Sequence, residues 1–155
     1  IDIDKLREFK FKSYSANSFF DGRVLKNGNR ALFYEPLEAL MGYFYERVLG
    51  TFFDYVFVNK NIDLTNNVIK NFADDIERAI CFVYQGGSIY DTPFWDHAKK
   101  ISQDRLNNDL MWQLQINDIK MNKKQNYHTM RNCGVGVLPV KSWVDFDDNL
   151  KYNMF

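Results

Sequence analysis

A chain of 155 residues is the size of one domain and can bury roughly 70% of the surface its unfolded form exposes, so one core over 1–155 is expected. Twenty Lys and Arg balance 20 Asp and Glu, which leaves no net field to draw in a polyanion and excludes nucleic acid as the default partner. A hydrophobic share of 46%, with 17% aromatic residues, excludes disorder over most of the chain.

The first segment, 2–12, carries Leu6, Phe9 and Phe11 among charges and reads as a short amphipathic element. Polar residues 13–17 break it. Two apolar runs flanking Asn27 and Gly28 predict a β-hairpin over 23–34. Pro36 then opens a helix on Leu37, Leu40, Met41, Phe44, Tyr45, Val48, Leu49, Phe52 and Phe53, running to 58 or 59. Tyr43, Tyr55, Val56 and Phe57 place apolar side chains on further faces, as in a helix that is central or meets a partner. Thr65 is the expected cap of a second helix on Val68, Ile69, Phe72, Ile76, Ile80 and Val83, ended by Gly86 and Gly87. These two helices predict an antiparallel hairpin.

Pro93 starts a third long helix with Trp95, Ala98, Ile101, Leu106, Leu110 and Leu114 as its stripe, which the Asn107, Asn108 pair can kink or divide. Residues 134–140 read as a strand or extended segment at a sheet edge, since they contain Pro139. Residues 141–155 follow as an extended, aromatic arm. The expected fold is therefore helix-dominated α+β: a helical hairpin, a third long helix, a small β-hairpin near the N-terminus and an extended or strand-like C-terminal arm.

No apolar run reaches bilayer length, because Glu46, Arg47 and Asp54 interrupt the richest stretch, so no membrane span is expected. Cys81 and Cys133 lie far apart without a C-x-x-C spacing; neither a metal site nor a cofactor is expected. A reducing compartment fits them: the cell interior or a virion, with an organelle also open. Neither Gly86-Gly87-Ser88 nor Gly134-Val135-Gly136 matches a phosphate-loop fingerprint.

Reactive side chains are sparse. Asp91, Asp96 and His97 gather at the start of the third helix, where capping explains the carboxylates, and His128 is the second of only two histidines. Brought together, His97 and His128 with Asp91 or Asp96 would suit a small hydrolase or phosphodiesterase. The aromatic excess favours another reading, a structural or interaction subunit of a larger assembly. A virion or tail component or an accessory subunit of a multiprotein complex would fit, docking to protein partners or to itself. Phe52, Phe53, Tyr55, Trp143, Tyr152 and Phe155 are the expected contacts. An inhibitor of a partner enzyme would show the same features.

Overall fold

The computed structural model describes residues 12–34, 39–90, 92–124 and 133–155. Among them are five α-helices and two small antiparallel sheets, the helix-dominated α+β architecture expected. The chain divides into two compact units, Ile1–Asn66 and Asn67–Phe155. The amphipathic segment expected over 2–12 lies outside the described residues apart from Lys12, as does the Pro36 helix start.

In the first unit, β1 (Tyr14–Ser15) pairs antiparallel with β2 (Leu32–Phe33), Tyr14 opposite Phe33 and Ser15 opposite Leu32. The expected hairpin has its second strand in place but a different partner. Its tight turn forms at Asp21 and Gly22 instead: Gly22 takes φ 89°, and Asp21 Oδ1 accepts from Arg23 N–H (2.9 Å) and Val24 N–H (2.7 Å). That turn sets Phe20 opposite Leu25, while Asn27 opens a 3₁₀ turn over Gly28–Arg30. An Asp-Gly pair and an Asn-Gly pair compete for the same role, and the one flanked by Phe19 and Phe20 closes the turn.

Helix α1 (Leu40–Asp54) buries Leu40, Phe44 and Val48 and continues as a π-helical turn, Tyr55–Asn59. Lys60, in the left-handed region at φ 49°, ends it by donating its N–H to the Tyr55 carbonyl (3.0 Å). Helix α2 (Ile62–Tyr84) begins a turn earlier than Thr65. Asn61 Oδ1 accepts from Leu64 N–H (3.0 Å), and Thr65 sits buried inside the helix, donating to the Asn61 carbonyl (2.8 Å). Asn66 then ties the first unit's loop down: its Oδ1 accepts from Phe19 N–H (2.8 Å) and Phe20 N–H (2.9 Å), and its Nδ2 donates to the Phe20 carbonyl (2.6 Å).

In the second unit the expected third helix is two helices, α3 (Pro93–Asn107) and α4 (Leu110–Lys123). The division falls at Asn108, because Asp109 leaves helical geometry and its carboxylate accepts from Trp112 N–H (3.2 Å), capping α4. β3 (Gly134–Val135) and β4 (Leu138–Pro139) form a minimal hairpin that turns at Gly136, φ 58°.

Residues 141–155 are not an extended arm here: α5 (Val140–Leu150) takes up most of them, burying Val140, Trp143, Val144 and Asp147. These stand at i, i+3, i+4 and i+7, one helical face whose fourth member is polar. Asp147 is only 2% exposed, and its carboxylate accepts from Met154 N–H (3.0 Å) and Phe155 N–H (3.0 Å). The last residues are thereby folded back, with Lys151 at φ 58° and Asn153 at φ 55°. Phe82 becomes the hub of this unit's core, with ring centroids of Trp143, Phe155, Trp112 and Tyr152 at 5.3, 5.5, 5.6 and 5.6 Å. Gly86 is required beside it, because a Cβ there would overlap the Tyr152 ring, whose O–H donates to the Val83 carbonyl (2.7 Å).

Candidate functional site

The candidate site is the outward face of α1 and its π-helical turn. Inward, Phe52 and Tyr55 close on Phe20 at 5.3 and 4.6 Å between ring centroids, both edge to face. Two apolar faces then remain, and only one can be turned in. Phe53 is 55% exposed, Phe57 76% and Val58 77%, flanked by the partly exposed Tyr43, Leu49 and Val56. At about 100° per residue Phe57 falls far from the buried row of Leu40, Phe44 and Val48 and on the same side as Phe53. Phe57 stacks on Phe53 at 6.2 Å with an interplanar angle of 14°, so the two most exposed rings of this face stand together and nearly parallel. Single exposed apolar side chains are ordinary; a contiguous cluster of this kind marks interaction sites.

Two glycines lie on the same helix. A Cβ added at Gly42 or at Gly50 would meet nothing within 4 Å, so neither is needed for packing in this chain, although each weakens the helix by about 1 kcal/mol relative to Ala. Both leave the helix backbone open to close approach from outside.

The second unit has its own exposed apolar row on α4: Leu110 (76%), Met111 (51%), Leu114 (50%) and Met121 (68%). The opposite face of α4 carries the buried Trp112, Gln115, Ile116 and Ile119. Methionines suit a contact that tolerates repacking.

The polar chemistry of this unit is internal. Arg78, 7% exposed, donates Nε–H to Asp109 Oδ2 (2.8 Å) and a second N–H to Asp75 Oδ1 (2.6 Å). Arg105 joins from α3, reaching Asp109 Oδ2 (2.6 Å) and Glu77 Oε2 (2.9 Å), and Gln115 Nε2 donates to Asp75 Oδ1 (2.7 Å). Burial pushes Asp109 up, but the hydrogen bonds from Arg78 and Trp112 N–H and the charges of Arg78 and Arg105 outweigh it, holding its carboxyl below the usual range. Two guanidinium groups and a helix cap take three of its acceptor sites, and Asp109 is only 7% exposed, so it is built into the core and not offered to a substrate. Beside this cluster the Cys81 thiol is pushed up to about 11, chiefly by burial and then by the charge of Glu77, which makes it a poor nucleophile.

Of the residues proposed for catalysis, Asp91 and His128 lie outside the described residues. His97 and Asp96 are exposed on the first turns of α3. Asp96 lines a cleft of about 220 Å³ with Gly86, Ser88, Tyr90, Trp95 and Lys99, smaller than ordinary ligand pockets, and His97 is not part of its wall. Among the described residues no three His, Cys, Asp or Glu side chains are placed to hold a metal ion, and no helix is long and apolar enough to cross a membrane.

Of the residues proposed for partner contact, Phe53 is exposed; Phe52 and Tyr55 are half-buried against Phe20, Tyr152 and Phe155 half-buried against Phe82. Trp143 is fully buried and donates its indole N–H to the Val135 carbonyl (2.9 Å). Sequence reading missed Phe57 and Val58 as the most exposed of the group. The only signal was that apolar residues over 52–58 cover more than one helical face. Comparison with protein-family models, with curated proteins and with solved structures finds no match.

Proposed function

We propose that this chain is a structural or interaction subunit of a larger assembly, such as a virion or tail component or an accessory subunit of a multiprotein complex. It works by protein docking through the α1 face. The observation that carries the reading is the stacked Phe53 and Phe57 pair standing 55% and 76% exposed beside Val58. Rigid aromatic plates of this kind bury large area at little entropic cost and dominate interface energetics. The α4 row of Leu110, Leu114 and Met121 supports a second contact, as a subunit with two neighbours requires. A hydrolase has weaker support, because His97 and Asp96 are solvent-facing and the nearby cleft is small.

The test is a photo-activated cross-linker placed at position 57 in cells that make the protein naturally. A discrete protein adduct from position 57, lost when Phe53→Asp is added, is expected. Diffuse labelling, or the same adducts from the exposed Asn149 on α5, would remove the basis for docking at α1.

A further inference from the structure

Away from the α1 face, we infer that residues 86–90 and the first turns of α3 form a contact for a lipid surface, taking a zwitterionic headgroup that carries a phosphate and a quaternary ammonium. Ile89 is 93% exposed, Tyr90 67% and Phe94 62%, so three large apolar side chains stand out close together in the chain. The frame beneath them is fixed: Trp95 stacks on Tyr84 at 5.5 Å, Phe94 meets Trp95 edge on at 5.0 Å, and the methylenes of Lys99 lie along Gly87. The tip is therefore held out in water and not folded onto the core. Residues 86–90 belong to no helix or strand, so they offer a protein neither a ladder edge nor a helical stripe.

Beside the tip lies a cleft with charges of both signs. Ile89 and Tyr90 share its wall with Trp95, Asp96 and Lys99. Among the described residues the Asp96 carboxylate, the Lys99 ammonium, the Tyr90 hydroxyl and the Trp95 indole N–H all stand without a hydrogen bond or ion pair. Asp96 and Lys99 are three residues apart, about 4.5 Å along the helix, close to the span of the two-carbon spacer that joins phosphate to ammonium. Asp96 suits the ammonium, with the Tyr90 and Trp95 rings as its aromatic neighbours, while Lys99 and the Trp95 N–H suit the phosphate. A volume of about 220 Å³ takes one compact headgroup and falls below the range for larger ligands. Lys99 and Lys100 are balanced by Asp96 and, in the sequence, by Asp91, so the rim carries no net charge and favours a zwitterionic over an anionic surface. Tyr and Trp are the side chains that settle at a membrane interface, and Ile89, Tyr90 and Phe94 together offer it on the order of 400 Å².

The test is flotation of the purified full chain with phosphatidylcholine vesicles and with phosphatidylserine vesicles, with far-ultraviolet circular dichroism as the check on folding. Binding to phosphatidylcholine is expected, and Ile89→Asp with Phe94→Asp should weaken it about tenfold or more. Asp96→Asn should weaken it about threefold or more and shift the preference toward phosphatidylserine, by removing the ammonium's partner and leaving Lys99 unbalanced. Phe53→Asp with Phe57→Asp should leave flotation unchanged, which separates this contact from docking at α1. A wild-type chain that floats with neither vesicle, or that prefers phosphatidylserine, overturns the inference. So does flotation that survives the Ile89 and Phe94 exchange, or that is lost with the α1 exchange instead. Binding of free phosphocholine without flotation would overturn the surface in favour of a soluble ligand. A discrete protein adduct from a cross-linker at position 89, again without flotation, would overturn it in favour of a protein partner.

Discussion

Asp109→Asn isolates the charge at the centre of the second unit's core, because asparagine caps a helix as well as aspartate and has nearly the same shape. Asp109 Oδ2 holds two guanidinium groups: Arg78 at 2.8 Å, with both side chains under 10% exposed, and Arg105 at 2.6 Å, with the arginine 31% exposed. The buried charge-assisted bond contributes about 2 kcal/mol and the half-exposed one less than about 1 after solvent screening. A loss of about 3 kcal/mol is therefore expected, short of the full cost of an orphaned buried charge because Asp75 still pairs with Arg78. Urea unfolding followed by tryptophan fluorescence reads it as a lower midpoint at unchanged slope. The pH dependence gives a second arm. The folded carboxyl titrates below its ordinary value, so its stabilisation is present above about pH 4 and is lost as pH falls through the folded value. Wild type and Asp109→Asn should converge on acidification. A difference under about 1 kcal/mol at neutral pH, or one that persists unchanged in acid, would refute the argument.

Gly86→Ala should lower the melting temperature by an amount corresponding to about 2 kcal/mol or more, because the new methyl group collides with Tyr152; Gly42→Ala, facing open space, should raise it by up to about 1 kcal/mol. Tyr152→Phe should cost about 1 kcal/mol through the lost bonds to the Val83 carbonyl and Gly86 N–H, measured by chemical denaturation. Burial raises the Tyr152 phenol despite the Gly86 bond, so it should ionise above ordinary tyrosine in an ultraviolet pH titration, and the stability it adds should be lost as pH rises beyond about 10. Cys81 should resist a thiol reagent at pH 8 in the folded protein and react once unfolded; equal rates in both states would contradict its burial.

The long elements were legible because their apolar spacing and breakers agree: α1 and α2 carry 3.6-residue rows, and Gly86 with Gly87 stops α2 near where expected. The split between α3 and α4 was signalled by Asn107 and Asn108, though its cause, a cap at Asp109 that also anchors Arg78, is a tertiary contact no spacing reveals. α5 was hidden by Asp147, which reads as a solvent residue on what is a buried face; its burial depends on backbone donors seven and eight residues away. For the docking face, the chemistry was legible and the direction was not. The excess of aromatics over 52–58 required some to point outward, but which ones do depends on a tertiary contact: Phe52 and Tyr55 close on Phe20, which leaves Phe53 and Phe57 as the exposed rings.

Docking through the α1 face should show in the size at which the protein migrates in a gentle lysate of its source cells. Wild type should run as part of a larger complex. Phe53→Asp with Phe57→Asp, folded by circular dichroism, should fall to the size of the free chain. Co-migration of the two at the larger size, or wild type already running free, would rule out docking through α1.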